Sequence, residues 1–319
     1  MFTRFEDIFT NLREKGTRKR MIAAWAVDSH TIVAAAQAVK SGIVDVTLVG
    51  DSSMIESVCS QENINPSIFE IEHNDVELAA VARAVEMIRE GRGDILMKGL
   101  CSTDKFLRAI LNKETGLLPP KGTLTHVGVI ENPSYHKLLF LGDMAVIPAP
   151  DFKQKQIIMG HLVATAHSAG IKMPKVAIIA ASEQMLTSMP ACMEAAQLAK
   201  MVDRGQIRGC IADGPLALDV AIDKESCEIK GLVSPVGGDA DCLLFPNIES
   251  ANVFYKTNSK LCKGVKQAGM MVGAKVPCVL SSRADSIEAT IEQQRAAIAD
   301  CQRTLKAIRR RGTKEASGD

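Results

Sequence analysis

Polar or charged residues follow apolar runs of this sequence at five places, where their side chains could do chemistry together. The five places are Met97-Lys98-Gly99, Gly142-Asp143, Ala212-Asp213-Gly214, Gly238-Asp239 and Ser281-Ser282-Arg283. If the apolar runs are strands of a parallel sheet, the residues that follow them gather at its carboxyl edge, where open α/β sheets bind ligands. Glycine and aspartate also make ordinary turns, so an ordinary turn is the alternative at each place.

Three basic residues in or near these places could bind an anion. Arg283 follows two serines directly after an apolar run, and its planar guanidinium can hold a phosphate group through two parallel hydrogen bonds. Arg108 and Lys98 could reach the same edge of the sheet. The simpler roles are an ion pair of Arg283 with Asp285 at a helix start, and surface positions for Arg108 and Lys98.

Residues 236–256, VGGDADCLLFPNIESANVFYK, combine these features in one stretch. An apolar run ends at Pro246-Asn247, and the residues around Asn252 predict a helix that follows directly. A buried strand that leads into a helix leaves backbone N–H groups at the sheet edge, where the helix dipole favours an anion. The alternative is one more strand–helix unit with an ordinary turn.

The composition excludes several classes of partner. The 38 basic and 37 acidic residues give a formal charge of +1, which offers no electrostatic reason to expect nucleic acid or a membrane surface. No apolar run is long enough to span a bilayer, and the N-terminus lacks the apolar core of a signal peptide. Nine single cysteines without a CxxC pair are typical of a reducing compartment, so we expect a cytoplasmic protein.

The common motifs of nucleotide and metal sites are missing from the sequence. GxGxxG, GxxxxGK[ST], GxSxG and HExxH do not occur, so any phosphate site must be built differently. His126 and His136 flank a predicted hairpin. The spacing of His161 and His167 does not place them on one helix face, so no metal site is predicted.

Alternating strands and helices predict an α/β fold with a mostly parallel sheet. Runs such as VDVTLVG, DILMKG and KVAIIAA are the predicted strands, and a Lys/Gly-rich turn precedes the last one, VPCVLSS. THVGVIE and KLLFLG flank Pro133 and predict an antiparallel hairpin. Since a fresh α/β series follows, we predict one domain over residues 1–142 and a second over 143–286, with a final helix of about 287–311 packing on the first.

Five stretches, in the same order, closely resemble the phosphate acetyl/butyryltransferase family, and its phosphate butyryltransferase branch most. They are MKGLCSTDKFLRAIL (97–111), VIENPSYHKLLFLGDMAVIPAPD (129–151), ADGPLALDVAID (212–223), VGGDADCLLFPNIESANVFYK (236–256) and VLSSRADS (279–286). The resemblance covers about residues 18 to 305. It implies transfer of a short-chain acyl group, butyryl or acetyl, between coenzyme A and inorganic phosphate. It also implies two α/β domains with the active site in the cleft between them, similar to isocitrate and isopropylmalate dehydrogenases.

The resemblance assigns roles to particular residues. Ser282 and Arg283 match the family's Ser-Arg pair, with Arg283 binding phosphate or stabilising the transition state, and Asp285 and Glu288 are the candidates for the catalytic base. The predicted substrate-binding residues are Arg108, Lys98, Ser102, Thr103, Asp143, Asn247 and Asn252. Met144 stands where the acetyl branch tends to carry a cysteine. The family implies no redox cofactor, coenzyme A as a substrate, and a homodimer or larger homo-oligomer.

Two other functions compete with acyl transfer. A metal-dependent dehydrogenase of the same fold would use aspartates such as Asp219, Asp239 and Asp241 to bind a divalent ion. A non-catalytic partner module would bind coenzyme A or an acyl phosphate without turning it over.

Overall fold

Strands and helices alternate in the computed structural model, which describes residues 3–14, 16, 18–280 and 296. The elements up to residue 111 are α1 (Phe5–Glu14), β1 (Lys19–Ala24), α2 (Ser29–Lys40), β2 (Val44–Gly50), α3 (Ser52–Gln61), a 3-10 turn (Pro66–Ile68), β3 (Glu70–His73), α4 (Glu77–Arg89), β4 (Ile95–Lys98) and α5 (Thr103–Leu111). Two helices begin behind an aspartate cap: Asp28 accepts a hydrogen bond from the Thr31 N–H, and Asp51 from the Ser53 N–H.

The next elements begin with the predicted hairpin. They are β5 (Thr125–Glu131), β6 (Leu139–Gly142), α6 (Phe152–Ser168), β7 (Lys175–Ile179), α7 (Pro190–Asp203), β8 (Ile211–Leu216), α8 (Leu218–Ile222), α9 (Lys224–Ile229), β9 (Cys242–Leu244) and α10 (Ile248–Leu261). β5 and β6 pair antiparallel, with Gly128 opposite Leu141. The hairpin and the α/β alternation are therefore confirmed.

Two further strands end the described segment, β10 (Lys266–Val272) and β11 (Cys278–Val279). β10 is absent from the sequence prediction, which assigned this region to a Lys/Gly-rich turn. It pairs antiparallel with β11, and every residue of β10 after Lys266 is buried. The lysines and glycines around it are typical of turns, but burial against neighbouring elements decides the conformation.

The chain folds as two compact units. Among the described residues, the central unit comprises 3–5 and 125–267, and the terminal unit comprises those from 6 to 124, those from 268 to 280, and 296. The central sheet has the order β5-β6-β9-β7-β8, and its strands after β5 run parallel to one another. The terminal sheet has the order β3-β2-β1-β4-β11-β10, parallel apart from β10.

The division between the units differs in position from the predicted domain boundary. The hairpin strands β5 and β6 belong to the central sheet, so the chain divides before Thr125, whereas the sequence places the boundary after Gly142. The predicted catalytic residues Ser282, Arg283, Asp285 and Glu288 lie outside the described residues, and so does the predicted helix of about 287–311.

Candidate active site

The loop between β4 and α5 brings together three of the predicted substrate-binding residues in the terminal unit. Lys98 is the last residue of β4 and is buried, and its Nζ donates hydrogen bonds to the carbonyl oxygens of Gly99 (2.9 Å) and Cys101 (3.0 Å). Ser102 caps α5 by accepting a hydrogen bond from the Lys105 N–H. Thr103 is exposed at the first position of the helix. The snorkelling alternative for Lys98 is wrong, because its ammonium group is held inside the loop.

Arg108 lies farther along α5, on its solvent face. Phe106 and Ile110 anchor the helix in the core, which leaves the Arg108 side chain 80% exposed. Its Nε lies 3.0 Å from a carboxylate oxygen of Asp104, one helical turn earlier. An exposed pair of this kind is weak, so an incoming anion could displace the carboxylate from the guanidinium.

Asp143 organises the loop that follows β6 in the central unit. Its carboxylate accepts hydrogen bonds from the N–H groups of Ala145 (2.9 Å), Val146 (3.0 Å) and Ile147 (3.2 Å). Burial raises the pKa of the Asp143 carboxyl, against the opposing effect of these N–H groups. The side chain therefore holds the shape of residues 143–147.

Asn247 and Asn252 attach α10 to the same edge of the central sheet. Asn247 follows β9 and caps α10 by accepting a hydrogen bond from the Ser250 N–H. The Asn252 amide donates a 3.0 Å hydrogen bond to the Met144 carbonyl. Because β6 and β9 are parallel neighbours, Asp143, Asn247 and Asn252 lie at one carboxyl edge. All three predicted residues therefore hold the backbone of the loop after β6 or of the start of α10 in place.

His126 is a residue at this edge to which the sequence analysis gave no role. It lies at the start of β5, which runs antiparallel to β6, and its backbone N–H is among the donors to the Asp143 carboxylate. The residue is 6% exposed, and within the described part of the chain neither ring nitrogen has a hydrogen-bond partner. Burial lowers the pKa of His126 to about 4. The sequence signal that could have drawn attention to His126 was its position at the start of the predicted hairpin strand THVGVIE.

The aspartates of the 236–256 stretch lie at the opposite, amino edge of the central sheet. Asp239 and Asp241 precede β9, and no strand separates them from α9, so the prediction that Gly238-Asp239 terminates a strand is wrong. Lys137 Nζ lies 2.8 Å from Asp239 Oδ1 and 2.9 Å from Asp241 Oδ1, and Lys175 Nζ lies 2.8 Å from Asp239 Oδ2. Despite the opposing effect of burial, hydrogen bonds from Lys137, Lys175 and His136 hold the pKa of Asp239 well below its usual range.

Two further expectations change with the observed strand bounds. Ala212-Asp213-Gly214 lies inside β8 and does not end it. Asp219, the third aspartate of the dehydrogenase alternative, lies 2.9 Å from Lys230 Nζ. Across residues 3–14, 16, 18–280 and 296, no group of three or more His, Cys, Asp and Glu side chains is arranged to hold a metal ion. The aspartates of that alternative bind lysines.

A cavity of about 500 Å³ also lies at the amino edge of the central sheet. It is lined by residues 131–136 around the hairpin turn, and by Thr3, Arg4, Gly264 and Lys266. The predicted substrate-binding residues do not line it. No described helix is long and apolar enough to cross a membrane.

The parallel sheets and the helices that begin at their carboxyl edges define an α/β protein with polar groups at its strand ends. Residues 69–299 match the family model described as "Phosphate acetyl/butaryl transferase". The chain belongs to this family, and the predicted phosphate acyltransferase class is confirmed.

Named relatives cover nearly the whole chain. A phosphate butyryltransferase of Clostridium acetobutylicum is 43% identical over 288 residues, which are 90% of this chain and 95% of the relative. A phosphate acetyltransferase of Thermotoga maritima is 38% identical over 277 residues, 86% of this chain and 92% of the relative. Among solved structures, a branched-chain phosphotransacylase from Enterococcus faecalis V583 is 28% identical with a TM-score of 0.79, covering 89% of this chain and 99% of that one.

Proposed function

We propose that this protein transfers a short-chain acyl group, butyryl in preference to acetyl, between coenzyme A and inorganic phosphate. The observation that carries the proposal is the identity to the Clostridium acetobutylicum phosphate butyryltransferase, which extends over 95% of that enzyme. Met144 supports the butyryl preference, because a buried thioether directly after Asp143 is apolar where the acetyl branch tends to have a thiol.

The reaction moves an acyl group between two anionic partners. A phosphate oxygen attacks the thioester carbonyl carbon, the carbonyl oxygen takes up negative charge, and the carbon–sulfur bond then breaks. The leaving thiolate of coenzyme A takes up a proton. Positioned cations and N–H donors accelerate such a step by stabilising the oxygen that becomes charged.

Several side chains of this chain are suited to these tasks. The Lys98 ammonium and the start of α5 at Ser102 and Thr103 bring positive charge and backbone N–H groups to one strand end, which favours a phosphate group. Arg108 binds a substrate anion in exchange for Asp104. Ser282 and Arg283 act on the phosphate, with Asp285 or Glu288 as the base for the thiol in the reverse direction.

The finer expectations belong to the same proposal. The fold is of the isocitrate/isopropylmalate dehydrogenase type, and the enzyme works in the cytoplasm as a homodimer or larger homo-oligomer. It needs neither a redox cofactor nor a metal, and has neither nucleic acid nor a membrane as partner. The balance of 38 basic and 37 acidic residues supports the last point.

The test is thiol release from acetyl-, propionyl-, butyryl- and hexanoyl-coenzyme A, each with and without phosphate. We expect release that depends on phosphate, with the highest kcat/KM for butyryl-coenzyme A. A maximum at acetyl would overturn the chain-length assignment and keep the reaction. Folded protein that binds coenzyme A, seen as a raised Tm, but releases no thiol with any substrate would overturn the reaction in favour of a binding module.

A further inference from the structure

The imidazole of His126 is a buried polar group with no hydrogen-bond partner among the described residues, at the edge of the central sheet that carries Asp143. Buried donors and acceptors are nearly always hydrogen-bonded, because leaving one unpaired costs free energy. Within the described part of the chain, His126 Nδ1 and Nε2 both lack a partner, although the residue is only 6% exposed. An unpaired group at a functional edge is suited to a ligand that brings its own hydrogen-bonding atom.

The direction of the ring follows from its neighbour. Side chains alternate between the two faces of a strand. The Thr125 hydroxyl lies 2.7 Å from His161 Nδ1 on α6, so the His126 side chain is on the opposite face of β5, together with Gly128. A Cβ atom at Gly128 would lie 2.8 Å from the Met144 sulfur, which shows that the Met144 side chain covers this face.

The His126 ring therefore shares a face with the loop that the predicted substrate-binding residues build. Met144 follows Asp143 directly, and its carbonyl accepts the hydrogen bond from Asn252. Asp143 in turn accepts the backbone N–H of His126, which fixes the start of β5 against this loop. The imidazole and the Met144 side chain thus lie on one face of β5, beside the loop that Asp143 holds.

We infer that the His126 imidazole donates a hydrogen bond to the carbonyl oxygen of the acyl substrate, as a further catalytic residue of the proposed acyl transfer. This role rests on the proposed function. The ring N–H stabilises the oxygen as it gains negative charge when phosphate attacks, and releases it when the thiolate leaves. No proton moves from the ring. Burial supports this by keeping the imidazole neutral at physiological pH, with one N–H donor available.

The experiment compares His126→Leu with His126→Asn in thiol release from butyryl-coenzyme A. The leucine variant removes both buried nitrogens, so its Tm should equal or exceed that of the wild type. Its kcat should fall by ~10²-fold, the effect of removing one oxyanion donor, with KM for butyryl-coenzyme A nearly unchanged. The asparagine variant keeps an N–H donor and should recover part of the lost kcat.

The matched control is His161→Leu, which removes a half-buried histidine that packs against the opposite face of β5. It leaves the Thr125 hydroxyl without its partner, so its Tm should fall while kcat per folded molecule stays near wild type. An infrared difference spectrum of bound butyryl-coenzyme A labelled at its carbonyl carbon reports the hydrogen bond directly. The carbonyl band should lie at lower frequency in the wild type and His161→Leu than in His126→Leu.

The possible failures are distinguishable. Wild-type protein that releases no thiol with phosphate overturns the proposed function and, with it, this role of His126. Wild-type turnover retained in His126→Leu, or an unshifted carbonyl band, overturns the role of His126 alone. If both His126 variants lose Tm and their kcat falls in proportion to that loss, the residue has a packing role. That outcome also overturns the inference.

Discussion

The two edges of the central sheet handle buried polar groups in opposite ways. At the amino edge, two lysines hold Asp239 and Asp241, and the Lys175 N–H donates a further hydrogen bond to Asp241. At the carboxyl edge, the Asp143 carboxylate is satisfied by backbone N–H groups, while the His126 ring beside it has no partner among the described residues. The amino edge is built from ion pairs between lysines and aspartates, whereas the carboxyl edge carries a neutral imidazole that has no hydrogen-bond partner among the described residues.

This difference shows which polar groups point to function. Residues 236–256 contain two aspartates that a metal-dependent dehydrogenase could use, but charges that form ion pairs inside a fold mainly specify its structure. An unpaired neutral group is costly to keep and is therefore the more informative observation. Changes at the amino edge should affect stability, and changes at the carboxyl edge should affect turnover.

The largest stability effect is expected for Lys137→Met at the amino edge. Lys137 is 6% exposed and pairs with both aspartates, so its loss leaves Asp241, itself 2% exposed, without its cation. We expect the free energy of unfolding to fall by about 3–5 kcal/mol, with kcat per folded molecule unchanged. Urea unfolding and active-site-normalised turnover measure the two quantities.

Lys175→Met is the matched control for that change. The Lys175 side chain is 31% exposed and pairs with Asp239 alone, and its backbone hydrogen bond to Asp241 survives the substitution. Its effect on unfolding should be clearly smaller than that of Lys137→Met. An equal loss in both variants, or a large loss of kcat, would contradict the assignment of this edge to structure.

The pH dependence of stability should separate the two edges. Burial lowers the pKa of His126 from 6.5 to about 4, so the folded protein binds fewer protons there than the unfolded chain between these values. Above pH 6.5 the ring is neutral in both states, and His126 does not reduce stability. As the pH falls toward 4, protonation favours the unfolded chain, and the free energy of unfolding decreases by about 3 kcal/mol. Burial also lowers the pKa of His161, which acts in the same direction.

The difference between the unfolding free energies of the wild type and His126→Leu isolates this contribution. The difference in unfolding free energy should change between pH 6.5 and 4 and be flat above that range. Asp239, whose pKa is depressed, supports stability above its unfolded pKa of 3.8 and loses that contribution only as the pH falls below it. A difference curve that is flat from pH 7 to 4 would show that His126 is solvated in the folded protein.

A smaller effect is expected for Gly128→Ala, which tests the packing of Met144 against β5. The added methyl group would lie 2.8 Å from the Met144 sulfur, so the thioether must move. We expect a loss of about 1–3 kcal/mol in stability, together with a changed ratio of kcat/KM between butyryl- and acetyl-coenzyme A. Differential scanning calorimetry and the acyl-chain series measure these two changes.

Gly160→Ala in α6 provides the comparison, since a Cβ atom there meets no other atom within 4 Å. It should stabilise the helix by up to about 1 kcal/mol and leave the acyl-chain preference unchanged. A shift in chain preference in both variants would mean that Met144 does not govern it.

Much of the fold and part of the site could be predicted from the sequence, because they depend on local physics. The strand and helix alternation, the caps Asp28, Asp51 and Ser102, and the β5–β6 hairpin follow from hydrophobic periodicity and turn chemistry. Similarity over almost the whole chain likewise determines the family. The position of Asp143 and Asn247 at one edge could be predicted, because residues that follow parallel apolar strands meet there.

The tertiary structure alone decided what each polar group contacts. Strand β10 forms among turn-like residues because its side chains are buried, and the edge to which Asp239 belongs depends on where β9 begins. The pairing of Lys137 with two aspartates joins residues about a hundred positions apart, a separation at which sequence spacing carries no information. Whether a buried group such as His126 has a partner is settled by three-dimensional packing, and residue type does not reveal it.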